Sequence, residues 1–204
     1  MLVSRRFLFG LPMLLAAARP VFAADSGGGA AVIQRFYDTL LAVMRQARQL
    51  RFDQRYAQLA PAIEQAFDLG LMARLAVGPG WAQMTPDQQQ RVAAAFGRYT
   101  ISVYASRFDD YGGERFQVDP TAAANAHGTL VKSWLIKTNG EKIVLNYLMR
   151  PDAAGGWKII DVYLSGTISE LATRRSEFAS VLQKGGADGL ARMLDQRAAS
   201  LRTG

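Results

Sequence analysis

From Ala31 onward apolar residues recur every third or fourth position, so that Val32, Ile33, Phe36, Leu40, Leu41, Val43 and Met44 share one side of a predicted helix. Carried past Met44, that helix places Arg45, Arg48, Arg51 and Arg55 on one stripe, at i, i+3, i+6 and i+10. The stripe is either a solvated face or a docking face for an acidic partner or headgroups. A second apolar stripe, Ile63, Phe67, Leu71, Met72 and Leu75, ends at Gly78-Pro79-Gly80. Thr85-Pro86-Asp87-Gln88 then opens a helix: Thr85 as N-cap, Pro86 where its missing N–H costs nothing, and Gln88 closing a capping box. That helix turns Val92, Phe96, Tyr99, Val103 and Tyr104 to one side and stops at Gly112-Gly113.

The period then drops from 3.6 to 2. Arg115–Asp119, Thr129–Thr138, Lys142–Pro151 and Trp157–Leu164 are predicted strands, with Asn139-Gly140 and Ala154-Gly155-Gly156 as tight turns. Such short connections make the strands antiparallel. Thr167-Ile168-Ser169-Glu170 is a second capping box, opening a helix with Leu171, Phe178, Val181 and Leu182 that ends at Gly185-Gly186. A last amphipathic helix is predicted from Asp188 to Leu201. Helices, a meander of strands and helices again give an α+β fold: helices packed on one face of a four-stranded, or slightly larger, antiparallel sheet.

The strands carry apolar residues on both faces. In Trp157–Leu164, strict alternation puts Ile160, Val162 and Leu164 on one face and Trp157, Ile159, Asp161 and Tyr163 on the other. Ile143, Leu145, Tyr147 and Met149 share a face of the neighbouring strand, and Val131 and Leu135 lie opposite Leu130, Trp134 and Ile136 in the strand before. A sheet with one wet face alternates more cleanly. Either helices cover both faces, or one face lines a cavity.

Composition narrows the setting. The first 23 residues combine Ser4-Arg5-Arg6, an apolar stretch from Phe7 to Ala18 and the small-x-small site Val21-Phe22-Ala23, the pattern of a secretory signal exported by the Sec or Tat route. Residues 24–29 are a Gly-rich linker with little apolar content, and 30–204 form a single domain. The chain of 204 residues has no cysteine and one histidine, which removes disulfides, thiolate chemistry and structural zinc. No metal or cofactor is predicted. The net charge of +7 falls to +4 without Arg5, Arg6 and Arg19, which suits anionic headgroups or an acidic protein surface better than nucleic acid in an exported protein.

Candidates for chemistry are few. His127, at a strand entrance, and Asp161, in an apolar strand, could form an acid–base pair, but the chain holds no G-x-S-x-G, G-x-G-x-x-G or Walker loop. Asp161 is more simply a carboxylate that pairs with arginine or caps backbone N–H groups, and His127 a turn residue. An ordinary core behind an interaction surface is a further possibility.

Residues 155–194, "GWKIIDVYLSGTISELATRRSEFASVLQKGGADGLARML", carry Trp157, Asp161, Gly166-Thr167-Ile168-Ser169 and Lys184-Gly185-Gly186-Ala187-Asp188-Gly189-Leu190, and residues 84–108 carry a T-P-x-Q segment followed by Phe and Tyr residues. These segments resemble the MlaC family of periplasmic lipid carriers, the toluene tolerance proteins. "ASRFDDYGGERF" and "ISELATRRSEFASVLQKGGADGL" are most similar to its hopanoid-associated HpnM branch. The resemblance covers nearly all of residues 30–204. It implies a non-enzymatic, monomeric periplasmic carrier, holding a hopanoid or phospholipid between sheet and helices and moving it between inner and outer membranes. The implied partners are an inner-membrane transporter of RND or MCE/ABC type and an outer-membrane acceptor. It turns the two-faced sheet toward a cavity, with Phe67, Leu71, Leu75, Phe96, Tyr99, Val103, Val131, Leu135, Leu145, Tyr147, Ile160, Val162 and Leu164 as candidate lipid contacts.

Overall fold

The structure, a computed structural model, describes residues 26–203; the signal-like segment 1–23 and residues 24 and 25 lie outside them. Four helices come first: α1 (Ser26–Arg45), α2 (Phe52–Ala66), α3 (Leu69–Val77) and α4 (Pro86–Arg107). Strands β1 (Arg115–Asn125), β2 (Gly128–Ile136), β3 (Lys142–Pro151), β4 (Trp157–Leu164) and the two-residue β5 (Ile168–Ser169) follow, then the long α5 (Glu170–Thr203). The strands pair in chain order as one antiparallel five-stranded sheet, and the helices stack on one face of it.

Turn chemistry sets the hairpins. Gly140 turns β2 into β3 with φ 84°, and Asp152 Oδ1 accepts from the Ala154 and Gly156 N–H groups between β3 and β4. β1 runs to Asn125, beyond the predicted end at Asp119. Pro120 has no N–H to give the ladder, and the register shifts between Val118 and Ala122 to pass it. β4 holds a second bulge. Leu148 pairs with Asp161 and Met149 with Ile159, leaving Ile160 as the extra residue. Trp157 and Ile159 therefore join Val162 and Leu164 on the helix-facing side, while Ile160 stands outside that core cluster. Strict alternation had put them on opposite faces.

Helix starts follow the caps. Thr85 Oγ1 accepts from Gln88 N–H and Gln88 Oε1 from Thr85 N–H, the reciprocal box predicted for α4. The second apolar stripe is not one helix. Between α2 and α3, Phe67 bridges to Ile159, Asp68 N–H donates to the Ile159 carbonyl at 2.9 Å, and Asp68 caps α3 by accepting from Leu71 N–H. At α5 the cap is Ser169, whose Oγ accepts from Ala172 N–H; Thr167 belongs to the turn before it. α5 breaks at Gly186, as the glycine pair predicts, with φ 60° and ψ −164°. Its arms, 170–185 and 187–203, fold back on each other: Glu177 and Arg197, on either side of the break, form an ion pair. The first arm meets α4 through Phe178 and Phe96, the second through Arg91–Asp188 and Arg98–Asp195.

The arginine stripe does not exist as such. α1 stops at Arg45, a 3-10 turn spans Ala47–Gln49, and Arg51 precedes α2. Arg45 lies 5.6 Å from the Tyr111 ring centre, Arg48 pairs with Asp110 at 3.0 Å, and Arg55 donates to the carbonyls of Leu50 and Ala105. Arg55, Arg175 (to Leu75 O) and Lys158 (to Glu64 O and Gln65 O) serve carbonyls at or near the C-terminal ends of α4, α3 and α2, where helices lack internal partners.

The Gly-rich segment, expected as a linker, is helical from Ser26. A Cβ on Gly28 would lie 2.7 Å from Trp157 Cδ1, and one on Gly29 3.1 Å from Met149 Sδ. These glycines let α1 lie close against β4. Gly28→Ala is therefore expected to destabilise the protein by about 1–3 kcal/mol through overpacking, measured by urea unfolding; in a loose linker the same change would be neutral or stabilising.

Candidate functional site

Over β3 and β4 the helices do not close completely on the sheet. Phe67 and Met72 at the α2–α3 junction, Phe96, Tyr99, Val103, Tyr104 and Phe108 of α4, Leu145 and Tyr147 of β3, Val162 and Leu164 of β4, and Leu171 of α5 surround a cavity. The cavity has a volume of about 120 Å³ and opens to solvent. The α4 side chains Phe96, Thr100, Val103, Tyr104 and Arg107 reach it because spacings of three and four return to one face of a helix. Along that face the lining passes from aromatic and aliphatic groups to a charge. Arg107, Glu170 and Arg174, with Thr100, form the polar part of the lining.

One end of the cavity is closed by tyrosines. Tyr37 Oη of α1 lies 2.7 Å from Ser133 Oγ and 3.0 Å from Tyr147 Oη, and the Tyr104 hydroxyl of α4 stands near that of Tyr147. Ser133 Oγ also donates to the Leu145 carbonyl. The rings of Tyr37, Tyr104 and Tyr147 pack with Phe36, Phe67, Phe108 and Phe116 in edge-on and stacked pairs. Burial pushes the Tyr37 hydroxyl up to about 12 and holds Tyr104 and Tyr147 above the usual phenol range as well, since a phenolate there would lose its hydration.

At the polar rim, Arg174 donates from Nη2 to Glu170 Oε2 at 3.3 Å and from Nη1 to Tyr99 Oη at 3.1 Å, with its guanidinium 4.9 Å from the Tyr99 ring centre. The Arg174 and Glu170 side chains are only 17% and 26% exposed.

Asp161 is a fastening. Its carboxylate accepts from Val162 N–H at 2.8 Å, Ser169 Oγ at 2.5 Å and Leu171 N–H at 3.3 Å, tying β4 to β5 and to the first turn of α5. His127 sits exposed in the β1–β2 turn, its N–H on Asn125 Oδ1 and its carbonyl on Arg150. The acid–base pair considered from the sequence is not formed, and the capping account of Asp161 describes its contacts.

Of the candidate lipid contacts, Phe67, Phe96, Tyr99, Val103, Leu145, Tyr147, Val162 and Leu164 line the cavity. The other five do not. Val131 is buried against Gly29, Leu135 pairs with Phe116 across the β1–β2 ladder, and Ile160 is displaced by the bulge. Leu71 and Leu75 stay half-buried on α3, where Met72 is the residue that faces the cavity. Met72, Tyr104 and Leu171, which also line the cavity, belong to the same predicted apolar stripes. Arg107, Glu170 and Arg174 were missed because charged residues at helical spacing look like solvated surface. Among the described residues no cluster of His, Cys, Asp or Glu has metal-binding geometry, and no helix is long and apolar enough to cross a membrane.

A family model described as "MlaC protein" matches residues 34–196. The chain belongs to the MlaC family. Among solved structures it is similar to a phospholipid-binding protein from Ralstonia solanacearum, determined in complex with a phospholipid. The TM-score is 0.72 at 29% identity, over 85% of this chain and 98% of that one. The MlaC fold is thus reached from two directions, the sequence segments and the superposed α+β architecture.

The tyrosine cluster gives a test. A phenol whose folded value is raised above its unfolded value of about 10 contributes stability that is complete below pH 10 and is lost as pH rises toward the folded value. For Tyr37 the range is pH 10 to about 12, worth on the order of 3 kcal/mol. Urea unfolding at pH 8, 10 and 11 is expected to show unchanged stability to about pH 10 and a steep fall above it, shallower in Tyr37→Phe. An unchanged midpoint at pH 11 would show that the hydroxyls are not buried as described.

Proposed function

We propose that the protein is a carrier of phospholipid, holding acyl hydrocarbon between β3–β4 and α4–α5 and leaving the headgroup at the charged rim. The observation that carries this reading is an apolar cavity with an open mouth in an MlaC-family fold whose solved relative binds a phospholipid. A cavity of about 120 Å³ suits a ring-sized length of hydrocarbon, comparable with engineered cavities of about 150 Å³ that take benzene. The rest of a tail runs out through the mouth. Withdrawing ~400 Å² of lipid from water is worth on the order of 10 kcal/mol, set against association costs of ~4–15 kcal/mol. Hydrocarbon burial then sets affinity, and charge sets headgroup choice and docking.

The wider role follows from family membership and the signal-like segment 1–23: export to the periplasm and movement of lipid, as a monomer, between an inner-membrane transporter of MCE/ABC type and an outer-membrane acceptor. A hopanoid cargo with an RND-type exporter is the second reading, favoured by the likeness of residues 168–190 to HpnM. An enzyme built on Asp161 and His127 loses its motive once Asp161 has three structural donors.

Organic extraction of the purified protein followed by mass spectrometry is expected to return about one phospholipid per chain. Leu145→Arg, which puts a charge in the cavity wall, is expected to reduce loading at least tenfold with native circular dichroism. Hopanoid in place of phospholipid would select the second reading. No stoichiometric lipid, with no uptake from added vesicles, would overturn both.

A further inference from the structure

We propose that Arg174, with Arg107, binds the phosphodiester of the lipid, and that Glu170 holds Arg174 as an internal stand-in for that phosphate while the site is empty. The proposal rests on the reading of the cavity as a lipid site. It adds which residues select the headgroup and what holds Arg174 in place while the site is empty.

Three observations support it. Arg107, Glu170 and Arg174 are the charged groups lining a cavity that is otherwise mostly apolar, and they sum to one positive charge, the complement of a single phosphodiester. Arg174 is placed rather than loose: its side chain is largely buried, its guanidinium lies against the Tyr99 ring, and the Tyr99 hydroxyl accepts one of its hydrogens. Finally, a guanidinium has five N–H donors, and the bonds to Tyr99 and Glu170 use two of them. A phosphate at the mouth meets a cation already oriented and only partly used.

The exchange costs little on the carboxylate side. Glu170 begins α5, where unpaired backbone N–H groups favour a negative charge, so it keeps a favourable setting after Arg174 turns to phosphate. Arg107 has no acidic partner among the described residues and supplies a second cation. Glu170 is thus a competitor for Arg174, and removing it has the opposite effect from removing the arginine. A pair that merely braced the fold would give losses at both positions.

The test compares two fluorescent probes with identical acyl tails, a phosphatidylglycerol and a diacylglycerol, bound to the full domain. The natural protein is expected to prefer phosphatidylglycerol by about tenfold or more. Arg174→Met is expected to remove that preference and leave diacylglycerol affinity unchanged, while Arg174→Lys keeps part of it. Glu170→Gln is expected to tighten phosphatidylglycerol binding by about threefold or more without changing diacylglycerol, and it carries the test if Arg174→Met does not fold. Glycerophosphoglycerol, the headgroup without tails, is expected not to displace the probe at equal concentration; displacement would mean a site for soluble phosphate esters and would overturn the proposal. Equal binding of both probes by the natural protein, a preference that survives Arg174→Met, or weaker phosphatidylglycerol binding by Glu170→Gln would also overturn it, leaving the carrier reading intact. Binding of neither probe would overturn the carrier reading itself.

Discussion

Two phenolic hydroxyls inside the protein, those of Tyr37 and Tyr147, are cut off from water, and the geometry of the fold follows from their need for a partner. Tyr37 on α1 joins Tyr147 on β3 and Ser133 on β2, and Tyr104 on α4 packs beside them through Phe36 and Phe67. Leaving either hydroxyl unsatisfied costs more than the bond itself returns in water. These bonds therefore fix how high α1 stands over the sheet, and the Tyr104 ring sets α4 against the same cluster. Large rings around it, Phe36, Phe67, Phe108 and Phe116, pack against that fixed height and keep the two helices from sliding.

On either side of this cluster the two halves of the sheet are treated differently. Near the start of β4, α1 comes down onto Trp157 and Met149 because Gly28 and Gly29 offer no side chain. Over the end of β4 and the facing part of β3, α4 and α5 leave a gap above the sheet, bordered by Tyr104 and Tyr147 and by the Arg174–Tyr99 contact that joins the two helices. Leu145, Val162, Leu164 and Val103 face that gap. Asp161 anchors the start of α5 to β4, so the mouth has a fixed edge. The basic surplus of the chain is partly an internal device, since Lys158, Arg55 and Arg175 serve helix carbonyls.

Much of this was legible in the residues. Period changes located the helices and strands, Thr85 and Gln88 announced α4, and Gly185-Gly186 marked the break in α5. Eight of the candidate cavity residues lie together because strand alternation and helix spacing are geometric facts. The misses have local causes. A β-bulge inserts one residue without altering the apolar character of a run, so Ile160 was assigned to the wrong face. A glycine run has the composition of a linker whether it is loose or pressed against an indole, and only the partner Trp157 distinguishes them. The four arginines kept helical spacing across a chain reversal that their own sequence does not signal. The rim charges were hidden because a half-buried arginine and a solvated one have the same spacing.

The central claim is that hydrocarbon occupies the gap bordered by the tyrosines. Intermolecular nuclear Overhauser effects between acyl methylenes of a bound phospholipid and the methyl groups of the protein test it most directly. The account predicts contacts to Val103, Leu145, Val162 and Leu164. Contacts confined to methyls outside the cavity, such as those of Val131 or Ile160, would contradict it.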